Sequence, residues 1–192
     1  MGSVDIEDAT CRRISKTSSM KVVSVGYRLP PKYKYTAGLN DCLQATMWTL
    51  EHFLVPSVVL MGDSGDTNLV FGVAMRLIDA DKVKVLALVP FTPRLNPLWS
   101  PTIPHGNYFS ALLYPGVKGL KKVYIVECGT DTLRDDTRSM KEDLEEAGVP
   151  IMYDAYSGYP DYLWPYPSQA LAAASEKFHT NIFRTMEWTS QE

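Results

Sequence analysis

The chain has 192 residues, of which 45% are hydrophobic and 21% are charged, and its formal net charge is −3. This length is typical of one domain that is large enough to bury a core, so we expect a single domain over residues 1–192. The weak negative charge argues against a nucleic-acid partner, which would favour a basic surface.

Other features of the sequence narrow the class of protein. Cys11, Cys42 and Cys128 share no metal-ligand spacing, which predicts free thiols in a reducing compartment and no metal site. The segment Met1–Thr10 is acidic and lacks the apolar run of a signal peptide. No apolar run approaches the roughly 20 residues that a membrane span requires. We therefore expect a soluble cytoplasmic protein that uses no cofactor.

Apolar residues recur at helical spacing and in short runs along the chain, which predicts helices that alternate with strands. The predicted strands, in chain order, are Val22–Val25, Val58–Met61, Val83–Val89, Val123–Val126 and Ile151–Tyr156. The predicted helices cover residues 6–18, 38–53, the segment after Ser64, residues 137–147 and a closing stretch from Ala170 to Met186. This alternation is typical of an α/β fold, here a mostly parallel sheet of about five strands with helices on both faces.

Residues 90–117 interrupt this pattern with a proline-rich stretch that contains His105. Long loops of this kind often cover a site, so we expect an irregular excursion over a crevice. Pro90 is expected to end the third strand, because proline cannot donate to a strand ladder.

A turn of small residues follows the strand Val58–Met61, and Ser64 stands at its apex. Ligands gather at this position in open α/β sheets, because free N–H groups and the positive helix end face the crevice. Glycines on both sides of the serine permit a strained turn. We expect Asp63, Gly65 and Asp66 to line a small-molecule site beside Ser64.

Several segments of the chain match known motifs in the right order. VVSVGYRLPP (residues 22–31) is similar to VVSVDYRLAPE, and GDSGDTNL (62–69) is similar to GDSAGGNL. GTDTLRD (129–135) is similar to G-x-D-P-L-R-D, and GYPDYLW (158–164) is similar to GYPHYFW. Together these segments resemble the hormone-sensitive-lipase-like branch of the α/β-hydrolases, in its fungal form. The resemblance implies an α/β-hydrolase fold, with Ser64 as the nucleophile and Asp131 as the acid of a catalytic triad.

The same resemblance implies an altered site. Asp161 stands where the family has its histidine base, and an aspartate of ordinary pKa, about 3.9, is a poor base for an alcohol. The family's HGGG loop, which supplies oxyanion donors, has no counterpart in the chain. Losing one such donor typically costs about 10²–10³ in rate. Asp66 also adds a carboxylate beside the nucleophile, so we expect weak or absent ester hydrolysis.

The family's strand before HGGG would lie between the strands that match Val22–Val25 and Val58–Met61. No such strand precedes Ile6 in this sequence. Unpaired buried backbone groups are costly, so we expect Val22–Val25 to pair directly with Val58–Met61. The alternative is that a second copy or a partner chain completes the sheet.

Two classes of function remain open from the sequence. One is an esterase-like enzyme that acts on a small ester, lactone or polyketide-like molecule, since the resemblance implies specialised metabolism. The other is a non-hydrolytic relative: a ligand-binding or subunit-type protein, or a cyclase or isomerase driven by Asp66, Asp131 and Asp161. A truncated product without activity is a third possibility. Trp164 is expected to line an apolar pocket. His105 is an alternative candidate for the catalytic base that Asp161 replaces.

Overall fold

The computed structural model describes residues 3–80, 85–91 and 116–191. The helices are α1 (Asp8–Ser18), α2 (Ala37–His52), α3 (Gly65–Asp79), α4 (Arg134–Glu146) and α5 (Ala172–Ser190), with a 3₁₀ turn at Val117–Gly119. The strands are β1 (Val58–Asp63), β2 (Val85–Phe91), β3 (Val123–Cys128) and β4 (Ile151–Tyr156). The chain divides into two compact units, Leu50–Asp161 and a second formed by Met1–Thr49 with Tyr162–Glu192. The interpretation of residues 1–192 as one domain stays a prediction.

The unit Leu50–Asp161 is built on a parallel sheet in which the strands follow chain order, β1-β2-β3-β4. Asp63 pairs with Phe91, Phe91 with Val126, and Cys128 with Tyr156. The carboxyl ends of the strands are therefore aligned along one edge of the sheet. The predicted α/β fold with a parallel sheet is confirmed.

The core of this unit lies between the sheet and the helices α3 and α4. It is formed by buried apolar side chains such as Phe71 and Met75 of α3, Val123 and Ile125 of β3, and Met140 and Leu144 of α4. Burying each large apolar side chain contributes about 1.5–3 kcal/mol. The other face of β3, which carries Tyr124, Val126 and Cys128, is buried as well. β3 is thus the central strand of the core.

Two strand predictions are wrong. Residues 19–29 form neither a helix nor a paired strand, so the strand predicted at Val22–Val25 and its direct pairing with β1 are not formed. A valine-rich run becomes a strand only where a neighbour pairs its backbone, and Val22 and Val23 remain 36% and 37% exposed. β2 also continues through Pro90 to Phe91, because one missing donor near a strand end is tolerated.

The helix predictions are confirmed with small shifts of their ends. α4 begins earlier than expected and closes at Gly148, whose φ is 74°. The amide of Val149 donates to the carbonyl of Leu144 at 3.0 Å, the bond that satisfies a helix end before such a glycine. None of the described helices is long and apolar enough to cross a membrane. Most of the stretch predicted to be an excursion, residues 92–115 with His105, lies outside the described residues.

The second unit has its own polar and aromatic contacts. Arg28 donates from Nε and Nη2 to the Asp41 carboxylate, and its backbone amide donates to the same group, which joins a loop to α2. These hydrogen bonds lower the pKa of Asp41 to about 2. Arg13 of α1 pairs with Glu176 of α5 at 2.6 Å. These contacts tie the loop to α2 and α1 to α5 within the unit.

Candidate functional site

Ser64 occupies a strained turn between β1 and α3. Its φ of 48° and ψ of −114° are unusual for a residue with a β-carbon. Such a conformation costs about 1–3 kcal/mol and persists only where the surrounding structure enforces it. The Ser64 side chain does not cap α3, so its hydroxyl is not used to stabilise the helix. The turn holds the hydroxyl at the carboxyl end of β1, as expected from the sequence.

Close packing at Gly62 enforces this turn. A β-carbon at Gly62 would lie 2.8 Å from Cγ2 of Val70 and 3.0 Å from the backbone of Asp66. The hydroxyl of Thr67, which is fully buried, donates to the carbonyl of Gly62 over 3.2 Å. The Thr67 amide donates to the carbonyl of Ser64 over 3.2 Å. Thr67 therefore closes the turn, a role that we did not assign from the sequence.

The neighbours of Ser64 in sequence differ in their surroundings. Gly65 and Asp66 are exposed, and Asp66 lies in the first turn of α3, where its negative charge favours the helix end. A β-carbon at Gly65 would meet nothing within 4 Å. Ser64 itself is partly exposed, and its hydroxyl has no hydrogen-bond partner within the described part of the chain. No base contacts it there.

Asp131 lies in the loop between β3 and α4. Its Oδ1 accepts hydrogen bonds from the Leu133 amide at 3.1 Å and the Thr132 hydroxyl at 3.5 Å. This local turn prepares the start of α4 and fixes the carboxylate. Asp131 Oδ2 is buried and has no hydrogen-bond partner among the described residues. One oxygen of this carboxylate is thus used structurally and the other is unsatisfied.

The loop that carries Asp131 is joined to the loop that carries Asp161. The Gly129 amide donates to the Tyr156 carbonyl at 2.9 Å, and the Thr130 amide donates to the Tyr159 carbonyl at 3.1 Å. A β-carbon at Gly129 would lie 2.8 Å from the nitrogen of Gly158. Only a glycine fits between these two backbones, so Gly129 sets the spacing of the two loops.

The pKa of the Cys128 thiol indicates how the acidic side chains around it are arranged. Cys128 is the last residue of β3 and is fully buried. Burial raises the pKa of its thiol to about 12, and the carboxylates of Asp161, Asp131 and Asp63 raise it further, in that order. These three carboxylates follow or end three different strands, yet all act on one sulfur atom. They therefore lie at the same edge of the sheet, where Ser64 directly follows Asp63.

A second charged cluster lies next to this site. Glu127, only 3% exposed at its side chain, accepts from Nε and Nη2 of Arg138, each at 2.9 Å, and from the Tyr153 hydroxyl. Burial acts to raise the pKa of Glu127, but the hydrogen bonds from Arg138 and Tyr153 outweigh it, and the pKa lies below its ordinary value. The cluster fastens α4 to β3 and β4.

Trp164 belongs to the other unit. It is buried and stacks on Phe178 of α5 with ring centroids 4.3 Å apart. Tyr162 contacts its edge at 5.1 Å. A role for Trp164 as a pocket wall stays a prediction. No group of three metal-ligating side chains is found among residues 3–80, 85–91 and 116–191.

Comparisons with known proteins give a consistent relationship. The family model described as "alpha/beta hydrolase fold" matches residues 1–106. Versiconal hemiacetal acetate esterase of Aspergillus parasiticus is 38% identical, over 99% of this chain and 71% of that protein. The FAD-linked oxidoreductase pytB of Aspergillus terreus is 53% identical over the whole chain, which spans only 28% of that protein. The esterase structure from Pyrobaculum calidifontis superposes with a TM-score of 0.87 over 98% of this chain and 73% of that one, at 22% identity.

Proposed function

The chain belongs to the α/β-hydrolase fold family and is related to fungal esterases, and we propose that it binds a small specialised metabolite. We propose further that its serine-hydrolase chemistry is impaired. Ser64, Asp131 and Asp161 are the central residues of the proposed site. Asp63, Gly65 and Asp66 stand beside them, and Trp164 is a candidate substrate contact. The related esterases are named for the hemiacetal acetate of versiconal, which favours a small ester or a derived alcohol as the ligand.

One observation carries the proposal: the strained turn at Ser64 is kept, although its hydroxyl contacts no base in the described part of the chain. An alcohol becomes a nucleophile only when a base removes its proton. Asp161 replaces that base, and it cannot afterwards protonate a leaving group at neutral pH unless its pKa is raised. The Gly65 amide, which directly follows the serine, is a candidate oxyanion donor.

Covalent labelling by a fluorophosphonate tests this proposal directly. The probe reacts with activated serines, so we expect labelling of Ser64 to be at least about 100-fold slower than in an active esterase of the same family, in line with loss of one catalytic group. The variant Ser64→Ala sets the background. Rapid, stoichiometric labelling that disappears in Ser64→Ala would show that the hydrolase machinery works.

A second candidate function is carboxylate-driven proton transfer, as in an enolisation, a dehydration or a ring closure. It is favoured by the common influence of Asp63, Asp131 and Asp161 on Cys128. Neighbouring carboxylates resist full ionisation, and one that stays protonated can donate a proton while another accepts one.

Carboxylate titration by NMR distinguishes this candidate from simple ligand binding. Proton transfer requires that at least one carboxylate of the set titrates well above the ordinary range near 3.9. Asp131→Asn and Asp161→Asn should each abolish product formation. Normal titration of every carboxylate, with no effect of either substitution, would exclude acid–base catalysis at this site.

We also propose that a second copy or a partner chain pairs with β1 in a cytoplasmic assembly. Within the described residues β1 pairs only with β2, and it is partly exposed along its whole length. An open strand edge is a template for a further strand. Light scattering of the purified protein tests this, and a monomer at every concentration that also binds no partner from its host would contradict it.

A further inference from the structure

His179 is a buried titratable residue on α5, only 7% exposed to solvent. Its Nδ1 lies 2.8 Å from the carbonyl oxygen of Ser175, one turn earlier on the same helix. A carbonyl only accepts hydrogen bonds, so Nδ1 carries the proton of the neutral ring and Nε2 carries none. Protonation of Nε2 would therefore place a positive charge where water has little access.

The helix α1 packs against α5 within one compact unit of the chain. Nη2 of Arg13 pairs with the Glu176 carboxylate at 2.6 Å, and the Arg13 guanidinium lies 5.6 Å from the centre of the Phe183 ring. The buried side chains of α1 are only Thr10 and Ile14 among its described residues. Because this apolar contact is small, the charged groups have a large influence on whether α1 stays in place.

Charges on both helices act on His179. Burial is the largest influence and, together with the positive charge of Arg13, it opposes protonation. Glu176 and Glu7, the residue before α1, favour protonation, but Glu176 is paired with Arg13 and Glu7 accepts a hydrogen bond from the Tyr162 hydroxyl. The net result is that the pKa of His179 lies below its ordinary value of 6.5.

We propose that the contact between α1 and α5 is a pH-sensitive switch, in which protonation of His179 releases α1. In the released form the imidazole is exposed to water and takes up its proton near pH 6.5, whereas the buried imidazole does so only at lower pH. The contact is therefore complete above about pH 6.5 and weakens as the pH falls below that value. This device does not depend on whether Ser64 reacts or on which ligand binds.

Hydrogen exchange of the α1 amides, followed by NMR at about pH 7.5 and about pH 5.5, tests the proposal on the unmodified protein. Each rate is divided by the intrinsic rate at that pH, which leaves the fraction of open α1. Uptake of one proton near pH 6.5 can raise this fraction at most about tenfold over the interval, and we expect at least about threefold. The carboxylates stay ionised in this range, and α4, in the other unit, should show no change.

A matched pair of variants assigns the effect to one histidine. His179→Gln keeps a side-chain N–H donor but stays neutral at both pH values, so the extra opening of α1 in acid should disappear. His52→Gln removes an exposed histidine of α2 and should keep the full response of the parent.

Three results would overturn the proposal: α1 that opens equally at both pH values, an unchanged acid response in His179→Gln, or equal opening of α4. If His179→Gln does not fold, NMR titration of the His179 ring in the unmodified protein decides. A midpoint below 6.5 would support the switch, and a midpoint at or above 6.5 would refute it.

Discussion

The amide of Thr130 donates to the carbonyl of Tyr159 across 3.1 Å, and this bond joins the loops that carry Asp131 and Asp161. The two residues lie after different strands, β3 and β4. Backbone bonds are less easily displaced than side-chain contacts, because they survive any change of side chain that the fold tolerates. The spacing of the two carboxylates is therefore a property of the backbone.

Substitution of Gly129 should disturb this junction. In Gly129→Ala the new β-carbon would lie 2.8 Å from the Gly158 nitrogen and 2.9 Å from Cα of Ser157, which are backbone atoms that cannot rotate away. We expect a loss of about 1–3 kcal/mol in the free energy of unfolding, measured with denaturant. Gly65→Ala is the control, since its β-carbon meets nothing within 4 Å, and it should not destabilise. Equal effects of the two substitutions would contradict the close approach.

Relief of strain at Ser64 should stabilise the protein. Glycine adopts the observed φ of 48° without steric cost, which recovers about 1–3 kcal/mol, while its greater freedom in the unfolded chain removes about 0.5–1 kcal/mol. Ser64→Gly should therefore be more stable than Ser64→Ala, which keeps the β-carbon. Denaturant unfolding of both variants measures the difference. A less stable Ser64→Gly would show that the turn is not strained.

Substitution of Arg138 should lower the free energy of unfolding, because the buried carboxylate of Glu127 then loses hydrogen bonds. Arg138→Gln removes two hydrogen bonds of 2.9 Å from a carboxylate that is 3% exposed, and Tyr153 alone remains as a donor. We expect a loss of about 1–3 kcal/mol at neutral pH. Arg12→Gln, which removes an exposed pair with Asp8, is the control and should leave the stability nearly unchanged.

The effect of Arg138→Gln should depend on pH. The pKa of Glu127 lies below its ordinary value of 4.5 in the folded state, so its pairing contributes fully above pH 4.5. That contribution is lost as the pH falls through the folded-state pKa. The difference in unfolding free energy between the parent and the variant should therefore shrink in acid. A difference that stays constant from pH 7 to about 3 would contradict this account.

The thiol of Cys128 should not react with alkylating reagents in the folded protein. Burial and the nearby carboxylates raise its pKa to about 12, so the reactive thiolate is scarce at neutral pH. We expect iodoacetamide to modify Cys42, which is partly exposed, and to reach Cys128 only after unfolding. Mass spectrometry of the modified peptides measures both rates. Comparable rates for the two cysteines in native protein would show that the edge of the sheet is open.

Replacing Asp161 by histidine alone should not create an efficient esterase. The new imidazole supplies a base, but the carboxylate of Asp66, two residues after Ser64, still opposes the negative charge that develops on the substrate. We expect hydrolysis of a short p-nitrophenyl ester by Asp161→His to stay within about tenfold of the Ser64→Ala background. Strong turnover by the unmodified protein that requires Ser64 would refute the impaired site.

The strands and helices near the site could be predicted because their signals are local. The apolar run before Ser64, the glycines beside it and the apolar spacing after it specify a strand, a turn and a helix without help from distant residues. Val22–Val25 carries an equally strong run and forms no strand. Strand formation depends on a neighbour at the right place, and a single sequence does not specify that neighbour.

The partners of the site residues were harder to predict than their positions. The motif around Asp131 indicates a carboxylate at the end of β3, but not that Leu133 and Thr132 occupy only one of its oxygens. The role of Thr67 depends on a carbonyl five positions earlier, which becomes accessible only in the strained turn. The glycine at 129 is visible in the sequence, whereas the close approach of residues 157–158 is a tertiary contact.

Because β3 is buried on both faces, its backbone amides should exchange with deuterium more slowly than those of β1. Its amides are paired with neighbours on either side and shielded from water, so they should exchange with deuterium only through global unfolding. β1, paired within the described residues on one side and partly exposed, should exchange through local opening. Asp131 thus follows the strand whose amides exchange most slowly, and Ser64 follows one whose amides exchange faster, so the two sides of the proposed site differ in local stability.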